Sequence, residues 1–161
     1  MTHEYPHELV LPSKHQNITR NIKFYETYST KIIAGIQVRR QVAPTLDVLE
    51  EVLITANDGQ KIRDELNLKY GNDKKIGYRD RNNEIMLPIN SFWRTYRLQE
   101  YLYDKKLSTT NTGDHPLGKA VDLKTPRGMT SLQFYLFIYD DCPTDFNWFK
   151  VYNNFVHCSR R

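Results

Sequence analysis

Two histidines and one aspartate constrain this chain more than any other feature. Five histidines occur, and three of them (His3, His7 and His15) fall within the first fifteen residues. The other two sit in short contexts suited to metal ligation. One is His115-Pro116-Leu117-Gly118-Lys119-Ala120-Val121-Asp122, and the other is Asn154-Phe155-Val156-His157-Cys158. Two imidazoles and a carboxylate supply three protein ligands for zinc and leave a fourth position for water, as catalytic rather than structural sites do. For the three to meet, the segment around Asp122 must lie beside the segment around His157. Gly118 lets the backbone turn or approach a neighbour closely. Ala120 and Asp122 share one face of a strand, and His157 then comes from a neighbouring strand. His157 and Cys158 point to opposite faces of that strand, so only one of them can face the metal. The N-terminal histidines lack helical i, i+4 spacing and read as exposed residues rather than ligands.

The remaining composition limits the function classes. A chain of 161 residues fits one domain with a normal core. The net charge is +4, but acidic and basic residues are interspersed and no Lys/Arg run forms an arm, so nucleic acid is not an expected partner. No apolar stretch approaches the roughly 20 residues of a membrane span, and no membrane partner is expected. The segment Met1-Thr2-His3-Glu4-Tyr5-Pro6 lacks the basic and apolar regions of a secretory signal. Cys142 and Cys158 are accordingly expected to be reduced.

Along the chain, residues 1–43 read as an extended N-terminal arm with one or two weak strands, suited to contact with a protein partner. Residues 44–161 read as the folded domain. Leu46, Leu49, Val52, Leu53 and Ala56 follow helical spacing after Pro44, and Asn57-Asp58-Gly59 is expected to break that helix. A second helix is expected over 60–70, with Gly71 as its stop. Residues 84–90 read as a strand, 96–105 as a short helix, 108–114 as a loop and 119–123 as a strand. Thr130-Ser131-Leu132-Gln133 forms a capping-box pattern that opens a helix to about Tyr139, with Leu132, Tyr135, Leu136 and Tyr139 on one face. Strands follow over 146–152 and 155–158, joined by a tight turn at Asn153-Asn154. Trp93 and Trp148 read as core or interface residues. The order of elements describes an α+β fold.

The block His115-x-x-Gly118-x-Ala120-x-Asp122, followed 35 residues after Asp122 by His157 in Phe155-Val156-His157, resembles the zinc D-alanyl-D-alanine peptidases. That family includes phage endolysins that cleave peptidoglycan stem peptides. The resemblance covers roughly residues 45 to 159. It implies a Hedgehog-like metallopeptidase fold with a small antiparallel sheet flanked by helices. It also implies zinc on His115, Asp122 and His157, and a stem-peptide substrate. Ser91-Phe92-Trp93-Arg94 stands where the family carries a serine–arginine element, which implies substrate-binding roles for Ser91 and Arg94, with Arg94 assisting the reaction. The expected location is the bacterial cytoplasm or a phage particle. The chain departs from the pattern at Gly113, where a serine is usual, and at Phe155, where a tryptophan is usual. The general-base glutamate that the resemblance implies has no counterpart, since no Glu follows Glu100. Asp145 is the nearest downstream carboxylate that could replace it. Without a base the implied alternative is a catalytically silent member serving as a structural or adaptor part, for instance in a phage tail or baseplate.

Overall fold

A computed structural model describes residues 10–33, 36–109 and 113–161. Strands β1 (Ser29–Ile33) and β2 (Ile36–Val42) pair as an antiparallel hairpin. Helix α1 (Leu46–Tyr70) follows. Then come β3 (Ile89–Ser91), α2 (Tyr96–Asp104), β4 (Ala120–Lys124), α3 (Ser131–Asp141), β5 (Trp148–Val151) and β6 (Phe155–Ser159). The last four strands form one antiparallel sheet in the order β3-β4-β6-β5. The fold is thus α+β, with a small antiparallel sheet and three helices among the described residues.

Strand alternation sorts the sheet into two faces. Val121, Leu123, Val156 and Cys158 belong to the core cluster, with Val52, Ala56, Ile62 and Leu66 of α1 and Phe134, Phe137 and Ile138 of α3. The alternate residues, Asp122 and His157, therefore leave the opposite face. The helices support the sheet from behind, and the polar chemistry stands in front. Cys158 is buried in that core, so it is His157 that faces the site.

α1 runs unbroken for 25 residues, through the Asn57-Asp58-Gly59 sequence expected to end it. The roughly 1 kcal/mol propensity cost of an internal glycine is outweighed here by tertiary contacts. A Cβ at Gly59 would lie 3.5 Å from the Ile22 side chain, so the N-terminal segment packs closely on this turn. The buried Asp58 carboxylate accepts from the Asp145 backbone N–H at 3.2 Å and pairs with Lys61 at 3.3 Å. The described part of the N-terminal region is likewise tied down. Ile22 joins the core cluster, Phe24 is buried, and Gln60 of α1 accepts from the Thr19 hydroxyl and the Asn21 N–H.

Two further expectations change. Between 84 and 90 only Ile89 is in ladder register with β4: Pro88 has no N–H and adds only its carbonyl, which accepts from Lys124 N–H at 3.0 Å, and Ile85 makes an isolated bridge with Arg79. The strand thus starts later and runs to Ser91. The capping box on α3 forms as expected, with the Thr130 hydroxyl accepting from Gln133 N–H and the Gln133 side chain accepting from Thr130 N–H. Of the face expected to be buried on α3, only Tyr135 packs partly against the core. Phe134, Phe137 and Ile138 turn inward, and Leu132, Leu136 and Tyr139 are exposed.

Asp58 gives a pH prediction. Burial pushes its carboxyl above the ordinary value of 3.8, against the opposing pull of Lys61 and of the bond from Asp145 N–H. The folded chain therefore holds this proton to higher pH than the unfolded chain. The stability linked to it is fully present below the unfolded pKa and is lost as pH rises through the folded one. Asp58→Asn does not titrate, so wild type should lose stability relative to the variant as pH rises from about 4 toward 7. Urea unfolding of both proteins across that range checks this, and a constant or growing wild-type advantage contradicts it.

Candidate metal centre

The sheet register assembles the site. Ser91 pairs with Asp122 between β3 and β4, Asp122 with His157 between β4 and β6, and His157 with Lys150 between β6 and β5. These four residues form one row across the front face, with Asp122 and His157 at its centre. His115 comes from the loop before β4. That loop is anchored closely behind: the Thr55 hydroxyl of α1 donates to Gly118 O at 2.7 Å, and Trp93 Nε1 donates to Pro116 O at 3.1 Å. Gly118 has φ +74°, and a Cβ there would sit 2.9 Å from Val52 Cγ2, so both its conformation and its space exclude a side chain.

Three donor atoms converge in front of the sheet. His157 Nδ1 lies 2.8 Å from Asp122 Oδ1, His115 Nε2 lies 3.3 Å from the same oxygen, and the two histidine nitrogens are 3.2 Å apart. All three ligand atoms fall within 4.8 Å of one another. The other histidine nitrogen fixes the tautomer. His115 Nδ1 is 2.5 Å from Phe92 O. A carbonyl only accepts, so Nδ1 carries the proton, and Nε2 of the neutral ring carries a lone pair. Burial holds His115 toward that neutral form, against the pull of Asp122. Burial also works to raise the Asp122 carboxyl, but its contacts with the two histidines hold it below the usual carboxylate range.

An ionised Asp122 and a neutral His115 leave two lone-pair atoms facing each other at 3.3 Å. A proton on His157 Nδ1 serves the His157–Asp122 contact and leaves the His115–Asp122 contact without positive charge. A cation at the point of convergence would satisfy all three donors. Two imidazoles and a carboxylate suit a divalent first-row ion, so the residues fit a metal. His115, Asp122 and His157 could hold one; these donors do not by themselves choose which.

Supporting bonds orient the donors. Arg94 Nη2 donates to Asp122 Oδ2 at 3.0 Å, Arg94 Nε to Ser91 Oγ at 3.0 Å and Arg94 Nη1 to Gln99 Oε1 at 3.1 Å. Ser91 and Arg94 therefore do meet at the site, bonded to each other and, through Arg94, to Asp122. Burial lowers the Arg94 pKa, and the Asp122 charge opposes that shift. On the other flank the Trp148 ring meets His157 edge-on at 5.3 Å. Arg161 stacks on Trp148 at 3.7 Å and bonds Asp114, the residue before His115, at 2.9 Å.

The donors line a cleft of about 130 Å³, whose walls include Arg94, Asp114, Trp148, Lys150, Tyr152 and Arg161. Asp145 is not brought here. It is exposed, and its N–H is bonded to Asp58 in α1, so its sequence position beyond α3 carries it away from the sheet's front face. Trp93 is a core residue as expected, whereas Trp148 is a wall of the cleft. Trp148, Lys150, Gln99 and Asp114 are site residues that motif spacing missed. The Asn153-Asn154 turn held the signal for two of them. A two-residue turn flanked by Tyr152 and Phe155 places Lys150 opposite His157, and Trp148 two residues before Lys150 lies on the same face.

Comparison with protein-family models, curated proteins and solved structures returns no match. Among the described residues, no helix is long and apolar enough to cross a membrane.

Proposed function

We propose that this protein is a zinc-dependent peptide hydrolase acting on peptidoglycan stem peptides, on a Hedgehog-like metallopeptidase fold. The observation that carries the reading is the convergence of His115 Nε2, Asp122 Oδ1 and His157 Nδ1, all within 4.8 Å of one another, at a cleft. Three protein donors leave room for a water or substrate oxygen at the metal. Zinc bound there would bring the pKa of a water to about 7 and polarise a substrate carbonyl. The stem-peptide substrate rests on the resemblance of the His115–Asp122 block and of Phe155-Val156-His157 to that peptidase family.

The protein's own groups divide the remaining work. Phe92 O fixes the His115 tautomer, and Arg94 orients Asp122, as outer partners of metal ligands do. Trp148 walls the His157 side. Asp114 is the one carboxylate besides Asp122 lining the cleft among the described residues, and Arg161 engages it. To act as general base Asp114 would have to exchange Arg161 for a water within hydrogen-bond reach. That ion pair favours a second reading, in which the metal is kept and hydrolysis is lost, as in a structural component of a phage particle.

A cleavage assay decides between them. Zinc-loaded protein incubated with purified muropeptides is expected to release shortened stem peptides, and His157→Ala is expected to release none. Intact muropeptides with zinc-loaded wild type would remove the hydrolase reading and leave the silent one.

A further inference from the structure

Among the described residues, three cations line the cleft: Arg94, Lys150 and Arg161. Two of them are matched by carboxylates, Arg94 by Asp122 and Arg161 by Asp114. Lys150 is not. Among the described residues no carboxylate lies within ion-pair distance of it, and its ammonium rests 5.3 Å from the centre of the Tyr152 ring. Its place is set by the sheet rather than by a loop. Lys150 stands directly opposite His157 in the β5–β6 ladder, so both side chains leave the same face as immediate neighbours.

The resemblance implies that Arg94 binds a substrate carboxylate. Here each of the three Arg94 guanidinium nitrogens is already bonded, to Ser91, Gln99 and Asp122. Drawing it away would leave a buried carboxylate without its partner. Lys150 carries no such obligation. An ammonium is a compact point charge on a flexible stem, able to follow a carboxylate without a fixed fork geometry.

We infer that Lys150 is the specificity residue of this cleft: it binds a peptide carboxylate adjacent to the bond held at the metal, while Arg94 stays engaged with Asp122. Its position beside His157 places that carboxylate on the β5 side of the centre, against Tyr152 and Trp148. The ligand is therefore an acidic peptide, and a neutral peptide of the same shape binds less well. This rests on the proposed peptide-binding role of the cleft.

Calorimetric binding to zinc-loaded protein tests it with three probes. They are N-acetyl-D-alanyl-D-alanine, its C-terminal amide, and the amide of N-acetyl-glutamyl-alanine, whose carboxylate is on a side chain. Wild type should bind the free acid about tenfold more tightly than its amide, the equivalent of one modest charge-assisted contact. Lys150→Ala should bind acid and amide equally, and Lys150→Glu should prefer the amide, both retaining the metal content of wild type. If the side-chain acid follows the free acid, Lys150 reads any peptide carboxylate; if it follows the amide, Lys150 reads a chain terminus. Wild type that does not distinguish acid from amide overturns the inference, as does Lys150→Ala that still does. Hydrolysis without acid–amide discrimination would sink this inference alone. Discrimination without hydrolysis would sink the hydrolase reading and keep Lys150 in its role.

Discussion

Arg94→Leu is expected to destabilise the metal-free protein by about 3 kcal/mol, the low end for removing one partner of a buried ion pair. The magnitude follows from what is left behind. The Arg94 and Asp122 side chains retain 15% and 7% of their exposure, so water cannot replace the guanidinium freely. Asp122 Oδ2 would face leucine methyl groups while Oδ1 still meets His157. Ser91 Oγ and Gln99 Oε1 would each lose the Arg94 donor. Adding Asp122→Asn removes the stranded charge and should recover part of the loss, which a merely steric effect of leucine would not allow. Urea unfolding of the single and double variants measures both. A single-variant loss under about 1 kcal/mol would mean the pair behaves as an exposed one, against the buried geometry.

His115→Ala is expected to abolish stoichiometric metal binding, the largest effect of any substitution considered for this centre. Losing a partner that merely orients a ligand typically costs 10–100-fold in metal affinity, and removal of a ligand itself should exceed about 100-fold. Only Asp122 and His157 would remain, and a two-donor site competes poorly with buffer and water. The substitution also leaves Phe92 O without its donor, a cost of about 1–3 kcal/mol. His157→Ala is therefore the companion variant. It lies on β6, which is paired on both sides, and should lose metal while keeping its fold.

Much of the front of the sheet was legible in the sequence because strand alternation and short-range spacing determine it. That His157 and Cys158 face opposite ways, and that Thr130 and Gln133 cap α3, follow from local pattern; the structure then puts Cys158 in the core. Contacts from distant segments were not legible. Asn57-Asp58-Gly59 reads as a break, yet Ile22 and the Asp145 N–H complete the helix from outside it. The buried face of α3 was misread because Leu132 and Leu136 are about as apolar as Phe134, Phe137 and Ile138, so apolarity alone does not separate the two faces. Only the packing against α1 and the sheet distinguishes the two sets. Arg94 shows the same limit within the site: its spacing from Ser91 suggests a functional element, but its partner Asp122 lies 28 residues away and is revealed only by the β3–β4 pairing.

The most direct measurement is bound metal per chain by native mass spectrometry, on wild type and on His115→Ala, each purified with added zinc. One zinc per wild-type chain and none on the variant are expected, with both chains folded by circular dichroism. Wild type without bound metal, or a variant that retains it, would contradict a centre built on His115, Asp122 and His157.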